Sequence, residues 1–208
     1  MEKKVLDKDL PFLVGITILW AVFIIVGWDV TNIEGIILLL ILVAYIVLLI
    51  RGARKSSNAN EVEKPKLTLP KSIIFMLIGL AGIIIGGDLV VDSASAIAIA
   101  FGMSETLVGL TIVAIGTSLP ELVTSLTALK KGENQLVIGN VIGSNIFNIL
   151  FVLGASSAIS AIPLDSSLLT DVLFMLGVTI LCFIFGKTQE KYDKKEGIIL
   201  VTLFVVYM

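Results

Sequence analysis

The chain has 208 residues, of which 57% are hydrophobic and only 15% are charged, and its formal net charge is −2. Soluble domains carry about 25% charged residues, so this composition excludes an ordinary soluble protein and indicates an integral membrane protein. The sequence contains no histidine and one cysteine, Cys182. That excludes a disulfide within the chain, Cys/His zinc sites and Ser-His or Cys-His catalysis.

Nothing in the sequence points to an enzyme or to a nucleotide-driven pump. A phosphate loop of the form G-x-x-x-x-G-K-[ST] does not occur, so we expect no nucleotide hydrolysis. We also expect no cofactor and no nucleic-acid partner.

Six stretches are long and apolar enough to cross a bilayer as helices, which takes about 20 residues each. They are residues 11 to 28, 34 to 50, 72 to 100, 105 to 129, 136 to 161 and 168 to 186, and they are called spans one to six below. A seventh apolar stretch, 197 to 208, covers only about 18 Å at about 1.5 Å per residue. We therefore expect it to end inside the membrane or lie in the interface, at a truncated C-terminus. The predicted fold class is an all-α integral membrane bundle.

The basic residues predict the orientation of these spans. All 15 lysines and arginines precede span one, lie between spans two and three, or follow spans four and six. With alternating spans these loops fall on one side, which the positive-inside rule makes cytoplasmic. We expect a multi-pass protein of the cell membrane, with its basic loops and the flexible linker at 51–71 in the cytoplasm.

Two motifs place polar groups deep inside apolar spans. The span-four motif is Gly116-Thr-Ser-Leu-Pro-Glu121, and the span-five motif is Gly139-Asn-Val-Ile-Gly-Ser-Asn145, followed by Asn148. Polar groups at this depth are costly and usually functional. The midpoints of the two spans fall near Thr117 and Asn148, so the spacing predicts that the two polar stripes face each other at mid-membrane.

Helical spacing assigns the side chains to these stripes. Thr117 and Glu121 are four residues apart, with Ser118 beside them, and the second stripe consists of Asn140, Ser144 and Asn148. Pro120 lacks the amide hydrogen that would bond the carbonyl of Gly116. A carbonyl freed in this way is tolerated in a membrane where it lines a polar cavity.

A glycine step on span five and a pair of aspartates on span three are two further features of the sequence. Gly139 and Gly143 form a G-x-x-x-G step that favours close helix contact. Asp88 and Asp92 lie one turn apart on span three. They are either an outer vestibule or packing site, or an ion-entry or coupling site.

The groups at the two motifs are oxygens, which favour hard cations such as Na⁺ and Ca²⁺ over zinc or copper. Calcium prefers about six to eight oxygens, more than this hairpin supplies. Secondary transporters often complete such a site with an inverted repeat. No second copy of either motif occurs in the chain. The sequence therefore looks like one half of a transporter whose first half is missing or comes from a second chain.

The two motifs, with the preceding Gly109-Leu-Thr-Ile-Val-Ala-Ile115, strongly resemble the repeat signature of the cation/calcium antiporter superfamily, the sodium/calcium exchangers and their prokaryotic relatives. The resemblance implies the last seven helices of a ten-helix inverted-repeat fold. Residues 1–50 would then be two helices from the end of the first half. Residues 51–71 would be the linker, and 72–208 the second repeat, with five membrane segments.

The resemblance also implies roles for individual residues. Glu121 would be the principal cation-bridging carboxylate, and Thr117, Ser118 and the carbonyl of Ala114 would be ligands beside it. Ser144 and Asn148 would complete this half from span five. Several relatives carry Asp where this chain has Asn148, which leaves coupling to K⁺ or H⁺ open.

We expect secondary active antiport of Na⁺ and Ca²⁺ by alternating access, with this chain supplying half of the midplane site. The alternatives are a cation/H⁺ or K⁺-coupled exchanger, or a non-transporting fragment or assembly subunit. The expected partners are the two ions, the lipid bilayer, and a first-repeat half or second chain.

Overall fold

The structure is a computed structural model that describes residues 5–27, 29–57, 67–163, 166–189 and 192–207. Within those ranges the chain is almost entirely helical. In chain order the elements are α1 Leu10–Gly27, β1 Asp29–Val30, α2 Asn32–Ser57, α3 Leu69–Ala100, α4 Glu105–Val108, α5 Ala114–Thr117, α6 Leu119–Lys130, α7 Asn134–Phe147, α8 Gly154–Ile159, β2 Ile162–Pro163, α9 Ser166–Gln189 and α10 Lys194–Tyr207. Wider π-helical turns occupy Val5–Asp9, Gly109–Val113 and Asn148–Leu153.

The six predicted spans are confirmed. The helices long and apolar enough to cross a membrane are Val5–Gly27, Asn32–Arg54, Leu69–Ala100, Glu105–Lys130, Asn134–Ile159 and Leu168–Thr188. The seventh predicted segment corresponds to α10, whose 14 residues extend about 21 Å at about 1.5 Å per residue. Of the predicted linker at 51–71, residues 51–57 continue α2 and residues 69–71 begin α3, while 58–66 lie outside the described residues.

The chain divides into two compact units. Unit one contains the described residues of Met1–Asn60 and Ile138–Tyr207, and unit two contains those of Glu61–Val137. This division follows packing, whereas the predicted division at 51–71 follows the repeat pattern, so the repeat boundaries stay a prediction.

Unit one is built around an aliphatic core. Spans one, two and five contribute its buried side chains, which are Leu6, Leu10, Leu13, Ile16, Leu38, Leu42, Ile142, Ile146, Ile149 and Leu150. A second cluster, Ala21, Ile24 and Val172, joins α1 to α9. Because lipid tails are as apolar as these side chains, close packing rather than the hydrophobic effect favours such contacts in a membrane.

The closest helix contact in unit one joins α2 to α8. A Cβ atom built on Gly35 would collide with the backbone nitrogen of Ala158 and the hydroxyl of Ser157. On the facing helix, a Cβ built on Gly154 would lie 3.1 Å from the Cβ of Leu38. The side-chain amide nitrogen of Asn32 also donates hydrogen bonds of 3.1 Å to the carbonyls of Ser157 and Ala158. Small residues thus allow two backbones to approach closely enough for direct polar contact.

Reciprocal caps begin two of the helices in this unit. At α2, the Thr31 amide donates to the Glu34 carboxylate at 2.8 Å, and the Glu34 amide donates to the Thr31 hydroxyl at 3.3 Å. At α10, Asp193 and Glu196 make the same exchange at 2.9 and 2.8 Å. These capping boxes satisfy amides that a helix start leaves unbonded.

Two side-chain contacts lie at the end of span six, and one of them reaches span one. The Lys187 ammonium donates to the Asp7 carboxylate at 2.7 Å, with both side chains about half exposed, so we expect the pair to contribute only about 0–1 kcal/mol. The Tyr192 hydroxyl donates to the Cys182 carbonyl at 3.0 Å. Burial raises the pKa of Tyr192 to about 12, so this phenol remains a neutral donor at physiological pH.

Unit two consists of α3 and the helices of span four. They are joined through a turn at Gly102, whose φ of +89° suits glycine. Span four ends at a second such turn, at Gly132, whose φ is +76°. Most of the apolar side chains along α3 are exposed, as expected for a helix that faces lipid or another protein segment.

The α2–α8 contact yields a stability prediction. Gly35→Ala would force a methyl group into the backbone of α8, and overpacking of this kind costs about 1–3 kcal/mol. We expect a lower midpoint of thermal unfolding in detergent. The matched control is Gly15→Ala on α1, where a Cβ would meet no atom within 4 Å; it should leave the midpoint unchanged or raise it. Equal midpoints for both variants would show that α2 and α8 are not in close contact.

Candidate functional site

Span four is interrupted in the middle of its polar motif. Helix α5 ends at Thr117 and α6 begins at Leu119, with Ser118 between them at φ −93° and ψ −2°. The Ser118 amide donates to the Ile115 carbonyl at 3.0 Å, which is a tighter bond than the α-helical pattern. Pro120 lies in the first turn of α6, where its missing amide hydrogen is tolerated. Proline therefore begins a new helix at this point.

The interruption presents three of the predicted ligands together. Thr117 and Ser118 are exposed, as is Ala114. The Thr117 hydroxyl donates to the Ala114 carbonyl at 2.9 Å, so these two oxygens are direct neighbours. This bond uses the hydroxyl proton and leaves lone pairs on the Thr117 oxygen that can accept a cation.

Glu121 lies in the first turn of α6. The side chain is half-buried, and its Oε2 atom is fully buried. The N-terminus of a helix carries partial positive charge, which attracts the carboxylate. The span-four motif thus places one carboxylate one turn beyond the exposed hydroxyls.

The span-five residues lie on α7 and the π-helical turn that follows it. Ser144 is half-buried, and its hydroxyl donates to the Val141 carbonyl at 3.1 Å. Asn148 is exposed and is the first residue of the turn Asn148–Leu153. Their spacing of four residues places both on one helix face.

The structure brings together only part of the predicted ligand set. Ala114, Thr117, Ser118 and Glu121 belong to unit two, whereas Ser144 and Asn148 belong to unit one. The predicted convergence of the two stripes stays a prediction. Within the described ranges, no three His, Cys, Asp or Glu side chains cluster so as to hold a metal ion.

Two π-helical turns adjoin the motifs, and sequence reasoning missed both. Gly109–Val113 comes directly before α5, and Asn148–Leu153 begins at a predicted ligand. In the first of them the Thr111 hydroxyl donates to the Leu107 carbonyl at 2.6 Å. Such turns are rare and often occur at functional sites. Hydropathy gives no signal for them, because both turns are as apolar as the helices around them.

Within unit one, the structure does not show the close helix contact predicted for the G-x-x-x-G step, which stays a prediction. A Cβ built on Gly139 or Gly143 would meet no described atom of this unit within 4 Å. The two glycines instead line a cavity of about 350 Å³, together with Asp9, Tyr45 and apolar side chains. The close helix contact in this unit is made by Gly154, further along the same span.

Asp88 and Asp92 are both exposed on α3. Within the part of the chain that the structure describes, neither carboxylate makes a hydrogen bond or an ion pair that would choose between the vestibule and coupling interpretations. Both interpretations therefore stand as they did from the sequence.

In the described part of the chain six apolar helices are long enough to cross a membrane, and one of them is interrupted at exposed hydroxyl and carbonyl groups. This combination is typical of a multi-pass membrane protein of the transporter class. The family model described as "Sodium/calcium exchanger protein" matches residues 71–208. The chain therefore belongs to the sodium/calcium exchanger family, as its motifs indicated.

Individual relatives support this placement. The chain is 35% identical over 214 residues to the putative antiporter CaxA of Alkalimonas amylolytica, covering 97% of this chain and 66% of that protein. It is 34% identical over 139 residues to the sodium/calcium exchanger MaX1 of Methanosarcina acetivorans, covering 66% of this chain and 40% of MaX1. The fold matches the sodium-calcium exchanger NCX_Mj, soaked with 2.5 mM Na⁺ and 10 mM Sr²⁺, with a TM-score of 0.82 at 30% identity.

The NCX_Mj match covers 99% of this chain and 66% of NCX_Mj. The chain thus spans about two thirds of the length of the curated relatives and solved structures that it matches over its whole length. This all-helical match confirms the predicted fold class.

The Thr117 geometry yields a prediction about ligand binding. Thr117→Val keeps the shape but removes the oxygen, so we expect the Ca²⁺-dependent rise in thermal midpoint to shrink, because a ligand stabilises a protein only through its binding. Thr117→Ser should retain the rise. The ion-free midpoint should change little, since an intrahelical hydroxyl bond contributes about 0.5–1.5 kcal/mol at most.

A matched control lies about two turns further along span four, in α6. Thr124 also bonds back to its own helix, with its hydroxyl 2.8 Å from the Pro120 carbonyl, but it is outside the predicted ligand set. Thr124→Val should keep the full Ca²⁺-dependent shift. If both valine variants lose the shift equally, Thr117 has no specific role as a ligand.

Proposed function

We propose that this chain supplies half of the cation site of a secondary active Na⁺/Ca²⁺ antiporter that works by alternating access. The observation that carries the proposal is the interruption of span four at Ser118. It exposes hydroxyl and carbonyl oxygens beside Glu121, inside the region that matches the exchanger family.

The chemistry of the exposed groups selects the class of ion. Hydroxyl, carbonyl and carboxylate oxygens are ligands for hard cations, and Ca²⁺ takes about six to eight of them. MaX1 is named a sodium/calcium exchanger, which agrees with this preference. Na⁺ and Ca²⁺ are therefore the proposed substrates, and they compete for one set of oxygens.

Span four alone offers fewer oxygens than Ca²⁺ requires, and Glu121 is its one carboxylate among the proposed ligands. Ser144 and the amide oxygen of Asn148 are the proposed ligands from span five. The remaining ligands and the second negative charge would come from a first repeat, as transporters built from inverted repeats provide. That repeat is the proposed partner of this chain, whether it is supplied by a preceding segment or by a second chain.

Competition at one site is sufficient to couple two opposite fluxes. A bound ion shifts the equilibrium between outward-open and inward-open states only by its differential affinity for them. If the site changes sides only when it is filled, Na⁺ and Ca²⁺ cross in opposite directions on the same oxygens. No covalent chemistry or nucleotide is required.

The orientation and domain limits belong to the same proposal. The placement of the basic residues puts the 51–71 linker and the basic loops in the cytoplasm by the positive-inside rule. Residues 1–50 would end the first half of the exchanger, and 72–208 would form the second repeat. Membership of an exchanger family does not favour an assembly-only role.

Replacing the central carboxylate tests the proposal. Glu121→Gln keeps the side-chain volume but removes the charge, and we expect Na⁺-gradient-driven Ca²⁺ uptake to fall to the level of protein-free vesicles. The assay uses the intact transporter, including its first repeat, in proteoliposomes. The matched control is Glu133→Gln, at an exposed position beyond the end of α6, which should retain full uptake. Undiminished uptake by Glu121→Gln would refute the assignment.

A further inference from the structure

Span three lies directly against the interruption in span four. Gly116, the first residue of the span-four motif, is buried, and the side chain that covers it is Val91 of α3. Both residues belong to unit two.

The contact leaves no space for a larger residue. A Cβ built on Gly116 would collide with Cγ2 of Val91 and would lie 3.3 Å from its Cβ and 3.5 Å from its Cγ1. One turn earlier on α3, a Cβ built on Gly87 would lie 4.0 Å from Cγ of Pro120. One face of α3 therefore lies against span four both before the break at Ser118, through Val91, and after it, through Gly87.

Valine is suited to fix a backbone position. Its branched side chain has one strongly preferred rotamer in a helix, so its methyl groups are held in place by α3 itself. Because Gly116 has no side chain, the methyl group rests on the backbone of span four. The next residue is Thr117, a proposed ligand, and the residue after it is Ser118, where the helix breaks.

We propose that Val91 is a positioning residue of the cation site: by resting on Gly116 it sets the place of the exposed oxygens of Thr117 and Ser118. This inference rests on the proposed function. It adds Val91, which is on another helix and outside the ligand set. The geometry of the ligands depends on the side chain of this residue.

A compensation experiment tests the proposal in the intact transporter in proteoliposomes. Gly116→Ala is expected to raise the apparent KM for Ca²⁺ about tenfold or more with a smaller change in maximal rate, because the added methyl group must displace the backbone that carries Thr117 and Ser118. Val91→Ala alone should raise the KM less. The double variant Gly116→Ala/Val91→Ala should recover most of the affinity, since it removes both methyl groups of Val91 and leaves the residue 91 Cβ as the nearest atom of that side chain, at 3.3 Å.

Matched controls are available on the same helix. Gly82→Ala places a methyl group where no atom lies within 4 Å, and Val90→Ala truncates a neighbouring side chain that is 55% exposed. Both should leave the KM for Ca²⁺ unchanged. The thermal midpoint of each variant, measured without ions, reports packing separately from ion affinity.

The outcomes separate three cases. Recovery of the KM in the double variant supports the positioning role. Recovery of the thermal midpoint without recovery of the KM, or an unchanged KM in Gly116→Ala, overturns it while the exchange function stands. If the unmodified transporter shows no Na⁺-dependent Ca²⁺ flux, the proposed function fails, and the positioning role is overturned with it.

Discussion

A chain that crosses a bilayer must satisfy its backbone N–H and C=O groups internally, since lipid offers no partners. At Pro120 span four loses one of the helical bonds that would do this. Just before it, the Ser118 amide donates to the Ile115 carbonyl three residues back, and a new helix begins at Leu119. Such an arrangement is tolerated in a membrane protein only where the backbone lines a cavity or is covered by protein.

Three features of the structure surround this break. The new helix gives Glu121 a place in a helical first turn, where the backbone attracts negative charge. The end of the preceding helix brings the Thr117 hydroxyl to the Ala114 carbonyl. The lack of a side chain at Gly116 allows Val91 to cover the break. The proposed cation site thus lies at the point where the helix cannot continue.

The sequence predicted the large-scale features well because they depend on long, averaged patterns. Each span is an apolar run of about 20 residues or more, so the sequence alone predicts the number of spans. The span-four motif was also readable, since a proline and a glutamate stand out in an apolar helix. The capping boxes at Thr31 and Asp193 carry the known T/D-x-x-E signature, so they could have been predicted from the sequence in the same way.

What the sequence did not predict depends on contacts between segments. The π-helical turn at Gly109–Val113 changes the hydrogen-bond pattern without changing the hydropathy. Gly139 and Gly143 matched a packing motif, but in unit one they line a cavity, and the close contact is made by Gly154. The cover of Gly116 by Val91 joins residues that are far apart in the chain, and a single sequence gives no pattern for such a pair.

Diffraction from crystals of the intact transporter soaked with Sr²⁺ would test the central claim most directly. Sr²⁺ is a divalent cation with a usable anomalous signal that can replace Ca²⁺. The account predicts an anomalous peak about 2.3–2.6 Å, or slightly more, from oxygens of Glu121 and Thr117, as expected for calcium-type ligands. A Sr²⁺ peak elsewhere in the membrane region, with neither Glu121 nor Thr117 coordinated, would contradict it.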